Sequence, residues 1–283
     1  MATTCNREKR ALMTIFSCST CAIEHAEGHV PPESCAICED ERQWVPASGQ
    51  SWTTRDELET QGFKLVVREL EPDLYSITTT PKLGIGQRGL LVRTPGGNLL
   101  FEPPGFIDAA GARIIDGLGG VAAIASSHPH LTGSSIQYSH RFGRAPVYVA
   151  RADEQWIRRP DPVIELWDGS IELLPGLWMY QCGGHFAGSS VVHWRAGQKG
   201  AGVLITGDTI AVGGDGKSAN AMRSYVNNIP LPASAIERIL DTVAPLEFSR
   251  LYSAFGLLPE DAHATVDRSL RRYVSWVNGE MPE

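Results

Sequence analysis

SSHPHLTGSS, Ser126 to Ser135, sets His128 and His130 one residue apart, directly after the apolar run GVAAIA. Such a run reads as a buried strand, so both histidines stand where a strand ends and a loop begins. Either they are ligands at the edge of a sheet, or they are two polar residues closing a strand. The chain offers two further endings of the same kind. His185, in CGGHFAGSS, follows another apolar run, and Gly183-Gly184 lets the backbone turn sharply there. Asp208, in LITGDTI, follows a third. A lone histidine after a strand is more often structural, and an aspartate after glycine is usually a turn residue. Three imidazoles and a carboxylate together are harder to dismiss. Strand-to-loop transitions carry sites, and three protein ligands plus water is the usual catalytic arrangement for zinc.

Five of the six cysteines precede residue 39, with only Cys182 beyond, and that clustering divides the chain. CSTC (Cys18, Cys21) and CAIC (Cys35, Cys38) are two Cys-x2-Cys pairs separated by thirteen residues. Each pair can aim two thiolates at one point, as a tetrahedral structural Zn²⁺ requires. The pattern is that of a zinc ribbon or paired zinc knuckles, slightly short of the commonest spacing. A module of roughly 40 residues has too little core to fold alone, and metal binding would supply the missing free energy. Two disulfides are the bland alternative, but MATTCNREKRALMTIFSCSTCA is a poor export signal. Its apolar part is short and is broken by Ser17, Cys18, Ser19, Thr20 and Cys21. The stretch reads as mature protein in a reducing cytoplasm. Cys5 is left over as a bystander, and His25 and His29 are spare ligands beside four sufficient cysteines. A closed site of this kind is structural rather than catalytic. The expected organisation is a zinc-ribbon-like module over 1–47, a linker over 48–64 and a large domain over 65–283. Thr53 or Thr54 would cap a short helix at RDELET.

The 283 residues suffice for one large domain plus an appendage, and 42% hydrophobic with 20% charged residues is ordinary globular composition. A net charge of −7 without a basic block disfavours a nucleic-acid surface. No apolar run approaches the roughly 20 residues of a membrane span. From about residue 62, FKLVVREL, LYSITTT, GLLVRT and GNLLFE read as strands, with Pro95-Gly96-Gly97 shaped like a hairpin turn. DAAGARIIDGLG reads as a helix, and GSSIQYSHRFG and RADEQWIRR look helical on either side of the strand APVYVA. SIELLPGLWMYQCG, SSVVHWRA and GAGVLITG continue the strands before two terminal helices, LPASAIERILDTVAPL and EDAHATVDRSLRRYVSWV. The order suggests an α+β fold in which helices flank packed sheets.

HPHLTG, GGHFAG and TGDT carry a resemblance. From about Leu65 to the C-terminus the chain resembles the metallo-β-lactamase-like hydrolase superfamily, which has His-x-His-x-Asp-His after a strand, then Gly-His, Gly-Asp and a final His. LWDGSIELLPGLWMYQCGGHFAGSSVVHW is similar to that family's strand pair leading into its third ligand. The ribbon, CEDERQW and MRSYVNNIPLP together look like a little-characterised branch. The resemblance implies an αββα sandwich with the metal site along one edge. It also implies His128, His130 and His185 as ligands of a first ion, with Asp208 as a candidate fourth. Where the motif should continue Asp-His this chain has Thr132 and Gly133, and Phe255 stands near the place of the final histidine. Those positions normally form most of a second metal site, so one ion is expected rather than two.

A single Zn²⁺ on three imidazoles lowers the pKa of bound water and polarises a carbonyl. That suits hydrolysis of a small ester, thioester, lactone or amide, with Asp208 as ligand or proton shuttle and Tyr225 as a donor to a substrate oxyanion. Tyr138 and His140 are weaker supporting candidates. For all three the bland reading is a packed or surface aromatic. His193 and His263 are not expected to be ligands. Fe²⁺ in the same site would turn the chemistry to O₂, as in mononuclear iron oxygenases of the superfamily. A third reading is a non-catalytic protein whose ribbon recruits a partner. Retention of all four residues favours an enzyme acting on a small molecule; oligomeric state is left open.

Overall fold

The computed structural model of this protein describes residues 13–281. Cys5 lies outside the described residues. The first element, β1 (Phe16–Cys18), pairs antiparallel with β2 (Trp52–Thr54), and a single helical turn, α1 (Ala36–Glu39), lies between them. Helix α2 (Arg55–Thr60) then opens with a capping box: the Thr54 side chain accepts from the Glu57 amide, and the Glu57 carboxylate accepts from the Thr54 amide at 2.8 Å.

Seven strands follow in chain order as one sheet. β3 (Lys64–Glu71), β4 (Leu74–Thr80), β5 (Gly89–Thr94) and β6 (Gly97–Phe101) form an antiparallel meander. Helix α3 (Ala109–Gly117), capped by Asp108, carries the chain to β7 (Ala123–Ala125), which is parallel to β6. Helix α4 (Ser135–Arg141) leads to β8 (Val147–Ala150), and β9 (Ile164–Trp167) completes the sheet, both in parallel. The helical reading of RADEQWIRR resolves to a tighter 3₁₀ stretch, Arg151–Trp156.

The second sheet is built from β10 (Ser170–Leu174), β11 (Leu177–Gln181), β12 (Ser190–Trp194) and β13 (Val203–Gly207), all antiparallel. Two small hairpins come next, β14 (Ala211–Val212) with β15 (Ala219–Asn220), and β16 (Met222–Ser224) with β17 (Ile229–Pro230). Helix α5 (Ala233–Val243) returns the chain to β18 (Arg250–Ser253), parallel to β13, beside the edge strand β19 (Leu257–Leu258). Helix α6 (Ala262–Val277) closes the fold.

Alternation within the strands makes the layers. In β5 and β6, Leu90, Val92, Leu99 and Phe101 point into a core shared with Met179, Val192, Val203 and Ile205 of the second sheet. Their neighbours Leu91 and Leu100 point the other way, onto Ile115 of α3 and Tyr138 of α4. In the second sheet Val191 and Leu204 do the same towards Ile236 and Ile239 of α5 and Val266 of α6. Strands buried on both faces read as unbroken apolar runs, which is how GVAAIA and GVLITG appear in the sequence. The result is helix, sheet, sheet, helix: the αββα sandwich expected from the resemblance. Among the described residues no helix is long and apolar enough to cross a membrane.

Candidate metal centre

All four expected site residues stand along one rim of the sandwich. Strand β7 ends into an extended His128, and Pro129–Leu131 form a 3₁₀ turn that brings His130 back to the same side. His185 sits between β11 and β12 after Gly183 and Gly184, both at positive φ (72° and 92°). Asp208 follows β13 through Gly207, where a Cβ would overlap Ser127 Oγ and Glu102 Oε1. Only glycine can stand there, which is a physical reason for the Gly-Asp pair.

One nitrogen from each of His128, His130 and His185 lies within 4.8 Å of the others. His185 Nε2 is 3.4 Å from His130 Nδ1, close to the edge of a tetrahedron with metal–nitrogen bonds of about 2.0–2.1 Å. The other ring nitrogens fix the tautomers. His185 Nδ1 donates to the Met222 carbonyl at 3.0 Å, leaving Nε2 as a lone pair. His128 Nδ1 meets Ser127 Oγ at 2.8 Å, and that hydroxyl donates to Glu102 Oε1 at 2.5 Å. A hydroxyl that gives its proton to a carboxylate accepts from the imidazole, so His128 Nε2 is also a lone pair. His128 Nε2 is buried with no hydrogen-bond partner, as is His130 Nε2. Burial, then the neighbouring imidazoles, hold His128 and His130 well below the ordinary histidine value, and burial takes His185 down to about 4. Three neutral, converging imidazoles, with His128 Nε2 left unpartnered among them, fit a divalent cation.

Asp208 Oδ2 lies 3.7 Å from His128 Nε2, and burial pushes its carboxyl up to about 7. Tyr225, expected to face a substrate, instead donates to the Asp208 carbonyl at 3.0 Å, with the Asn220 carbonyl at 3.4 Å. That contact fixes the turn carrying Asp208. Tyr138 donates to the Phe106 carbonyl in the core, and His140 pairs with Asp161 at the surface. His193 and His263 meet backbone carbonyls of Glu247 and Ala244. Phe255 is exposed. Gly133 holds φ +49°, and a Cβ there would overlap the Pro103 carbonyl oxygen, so no histidine can occupy that position without moving the backbone.

Three functional neighbours escaped the sequence reading. Glu102 ends β6 at positive φ (58°), is completely buried, and is pushed up to about 8 by that burial against the Ser127 hydrogen bond. An acid closing an apolar strand, as in NLLFE, was its only signal. Ser127 links it to His128. Arg42 arrives from the N-terminal module and donates to the His185 carbonyl at 3.1 Å.

That module carries the second cluster. Cys18, Cys21, Cys35 and Cys38 are buried, with Sγ atoms within 4.8 Å of one another. Cys18–Cys38 and Cys21–Cys35 are 3.6 and 3.8 Å apart. Sulfurs at about 2.3 Å from a tetrahedral Zn²⁺ stand about 3.8 Å apart, so the donors fit that ion and are too far apart to be disulfides. The Gln50 amide donates to Cys18 Sγ at 3.0 Å.

No family model matches this chain. It is 41% identical over 272 residues to the Uncharacterized protein YmaE of Bacillus subtilis (strain 168), across 95% of this chain and 99% of that protein. The solved structure of TMB-1 superposes with a TM-score of 0.56 at 14% identity, covering 74% of this chain and 98% of its own. The DIM-1 metallo-β-lactamase gives 0.54 at 12%, covering 74% and 98%. The metallo-β-lactamase FIM-1 from Pseudomonas aeruginosa, in a mono-zinc form, gives 0.52 at 15%, covering 75% and 96%. At these identities the likeness is one of fold.

Proposed function

Because this chain belongs to one family with YmaE and has the metallo-β-lactamase fold, we propose that it is a metal-dependent hydrolase acting through a single ion at His128, His130 and His185. The observation that carries the proposal is the convergence of three buried, neutral imidazoles, two of them with their remaining nitrogens fixed by Ser127 and Met222. A divalent ion bound there would acidify water and polarise a carbonyl, which suits a small ester, thioester or lactone.

The chain's own groups divide the remaining work. Asp208, whose Oδ2 lies 3.7 Å from His128 Nε2, can serve as a further ligand or take up a proton there. Glu102 and Ser127 keep His128 Nε2 aimed outward, and Tyr225 keeps the Asp208 turn in place. Gly133 supports a single ion, because a second-site histidine has no room there. We infer a small-molecule substrate and a reducing, cytoplasmic setting in which the four thiols stay free to bind metal.

The test is a panel of ester, thioester and lactone substrates offered to protein loaded with Zn²⁺ or Fe²⁺. The proposal expects Zn²⁺-dependent turnover of one class, lost by at least about 100-fold in His130→Ala. Turnover only with Fe²⁺ and O₂ would replace hydrolysis with oxygen chemistry. Failure of every class with either metal would defeat the enzymatic reading.

A further inference from the structure

We infer that Arg42 is a positioning residue for the histidine centre, and that this centre binds its ion tightly only while the four-cysteine module is metal-loaded. The inference rests on the reading that the three histidines hold an ion. Arg42 stands four positions beyond Cys38 and is only 8% exposed. Every edge of its guanidinium is used. Nε and Nη2 fork onto the two Asp40 oxygens at 2.5 and 2.9 Å, and Nη1 donates to the His185 carbonyl at 3.1 Å. Its flat face covers the Phe186 ring, 3.6 Å from the centroid. That same ring touches all three imidazoles, with centroid separations of 5.5 Å to His128, 4.7 Å to His130 and 5.2 Å to His185. Arg42 thus fixes both the backbone of one ligand and the aromatic surface against which all three ligands pack.

The other hydrogen bond of His185 leads back to the same segment. Its Nδ1 donates to Met222 in β16, and the residues after Met222 are pinned by the module. Ser224 Oγ donates to the Arg42 carbonyl, and Asn227 Nδ2 donates to the carbonyls of Glu41 at 2.8 Å and Gln43 at 3.2 Å. Residues 40–43 therefore hold His185 from two sides. Their own conformation depends on α1, a four-residue helix carrying Cys38 and preceded by Cys35. A helix of one turn has no stability of its own in water. Metal closing the four-cysteine cluster supplies it, so emptying that cluster releases 40–43 and loosens His185. Neither Arg42 nor Asp40 touches a ligating nitrogen; the effect passes through backbone and packing.

Cobalt titration of the full chain distinguishes the two centres by spectrum. Thiolate-to-cobalt charge-transfer bands report the cysteines, and the weaker ligand-field bands of nitrogen- and oxygen-ligated cobalt report the histidines. Arg42→Gln should fill the cysteine site as wild type does but bind cobalt at the histidines at least about 10-fold more weakly, with Arg42→Lys recovering part of the loss. Cys35→Ser, which empties the module and leaves Arg42 in place, should weaken the histidine site by at least as much. Arg271→Gln removes the exposed Arg271–Asp267 pair on α6, away from both clusters and from residues 40–43, and should leave both affinities unchanged. Wild-type affinity at the histidines in either Arg42→Gln or Cys35→Ser overturns the coupling, and either variant decides alone if the other does not fold. Absence of the histidine bands in wild type would instead overturn the metal-centre reading, and this inference with it.

Discussion

The molecule holds two clusters of side chains that could hold metal, and they are built on opposite plans. In the N-terminal module four sulfurs surround one point with edges of 3.6 and 3.8 Å, and Cys18, Cys21, Cys35 and Cys38 are each at most 1% exposed. Every ligand position is spent, so such a centre can only hold structure. On the rim of the sandwich three imidazoles converge with Asp208 beside them, and among the described residues no fourth one closes the set. The difference lies in the supports as much as the donors. The cysteines are held by a short local stretch of chain, whereas the histidines are aimed by Glu102, Ser127, Met222 and Arg42 from four separate segments. A closed centre folds its surroundings; an open one has to be held in shape by them.

The largest way to break this contrast is to remove the closed centre. Cys35→Ser/Cys38→Ser forfeits binding energy on the order of 10 kcal/mol, and limited proteolysis should then cut within residues 13–54 while the large domain stays resistant. A module that remains protected would show that its apolar packing suffices without metal. The next effect comes from trying to make the open centre resemble a two-ion site. Gly133→His forces a side chain onto the Pro103 carbonyl at a left-handed backbone position, and should cost about 3 kcal/mol or more in denaturant unfolding without adding an ion. Tight uptake of an extra ion at native stability would show that the backbone there yields.

A similar magnitude attaches to pH. Asp153 accepts from the Gly188 amide in the loop carrying His185, and burial pushes its carboxyl up to about 6. The folded state then keeps a proton that the unfolded chain has released, so this contribution is full below about pH 4 and is lost as pH rises through about 6. The difference in unfolding free energy between wild type and Asp153→Asn should move by up to about 3 kcal/mol across that window. A constant difference would mean the loop is not held by a protonated acid. The smallest expected effect is that of Glu102→Gln, which keeps the shape of the Glu102–Ser127–His128 chain but replaces its acid with an amide. It should weaken metal at the histidines by about 10- to 100-fold and leave the cysteine centre alone. Equal loss at both centres would point to general destabilisation.

What could be read beforehand follows from how far each contact reaches along the chain. The Cys-x2-Cys pairs announce themselves because both partners of a turn are local, and Thr54 with Glu57 announces a helix start for the same reason. The apolar runs disclosed the strands, and the residues after them, His128, His130, His185 and Asp208, were legible because a sheet gathers its strand ends at one rim. Tyr225 was visible as a residue but not in its role, since nothing local says that its hydroxyl meets the Asp208 carbonyl. Arg42 was invisible, because a donor 143 residues from its acceptor leaves no periodicity. Glu102 was hidden likewise: its partner Ser127 lies across the β6–β7 crossover. Gly133 gave a sign in its type alone, and only the Pro103 carbonyl explains it.

The most direct test of two centres with different plans is metal content. Elemental analysis of wild type, purified without added metal, should find two ions per chain. The His128→Ala/His185→Ala variant should retain one. Equal content in both proteins, even after metal is offered, would mean that the histidines merely close their strands, and the account of an open metal centre would fail.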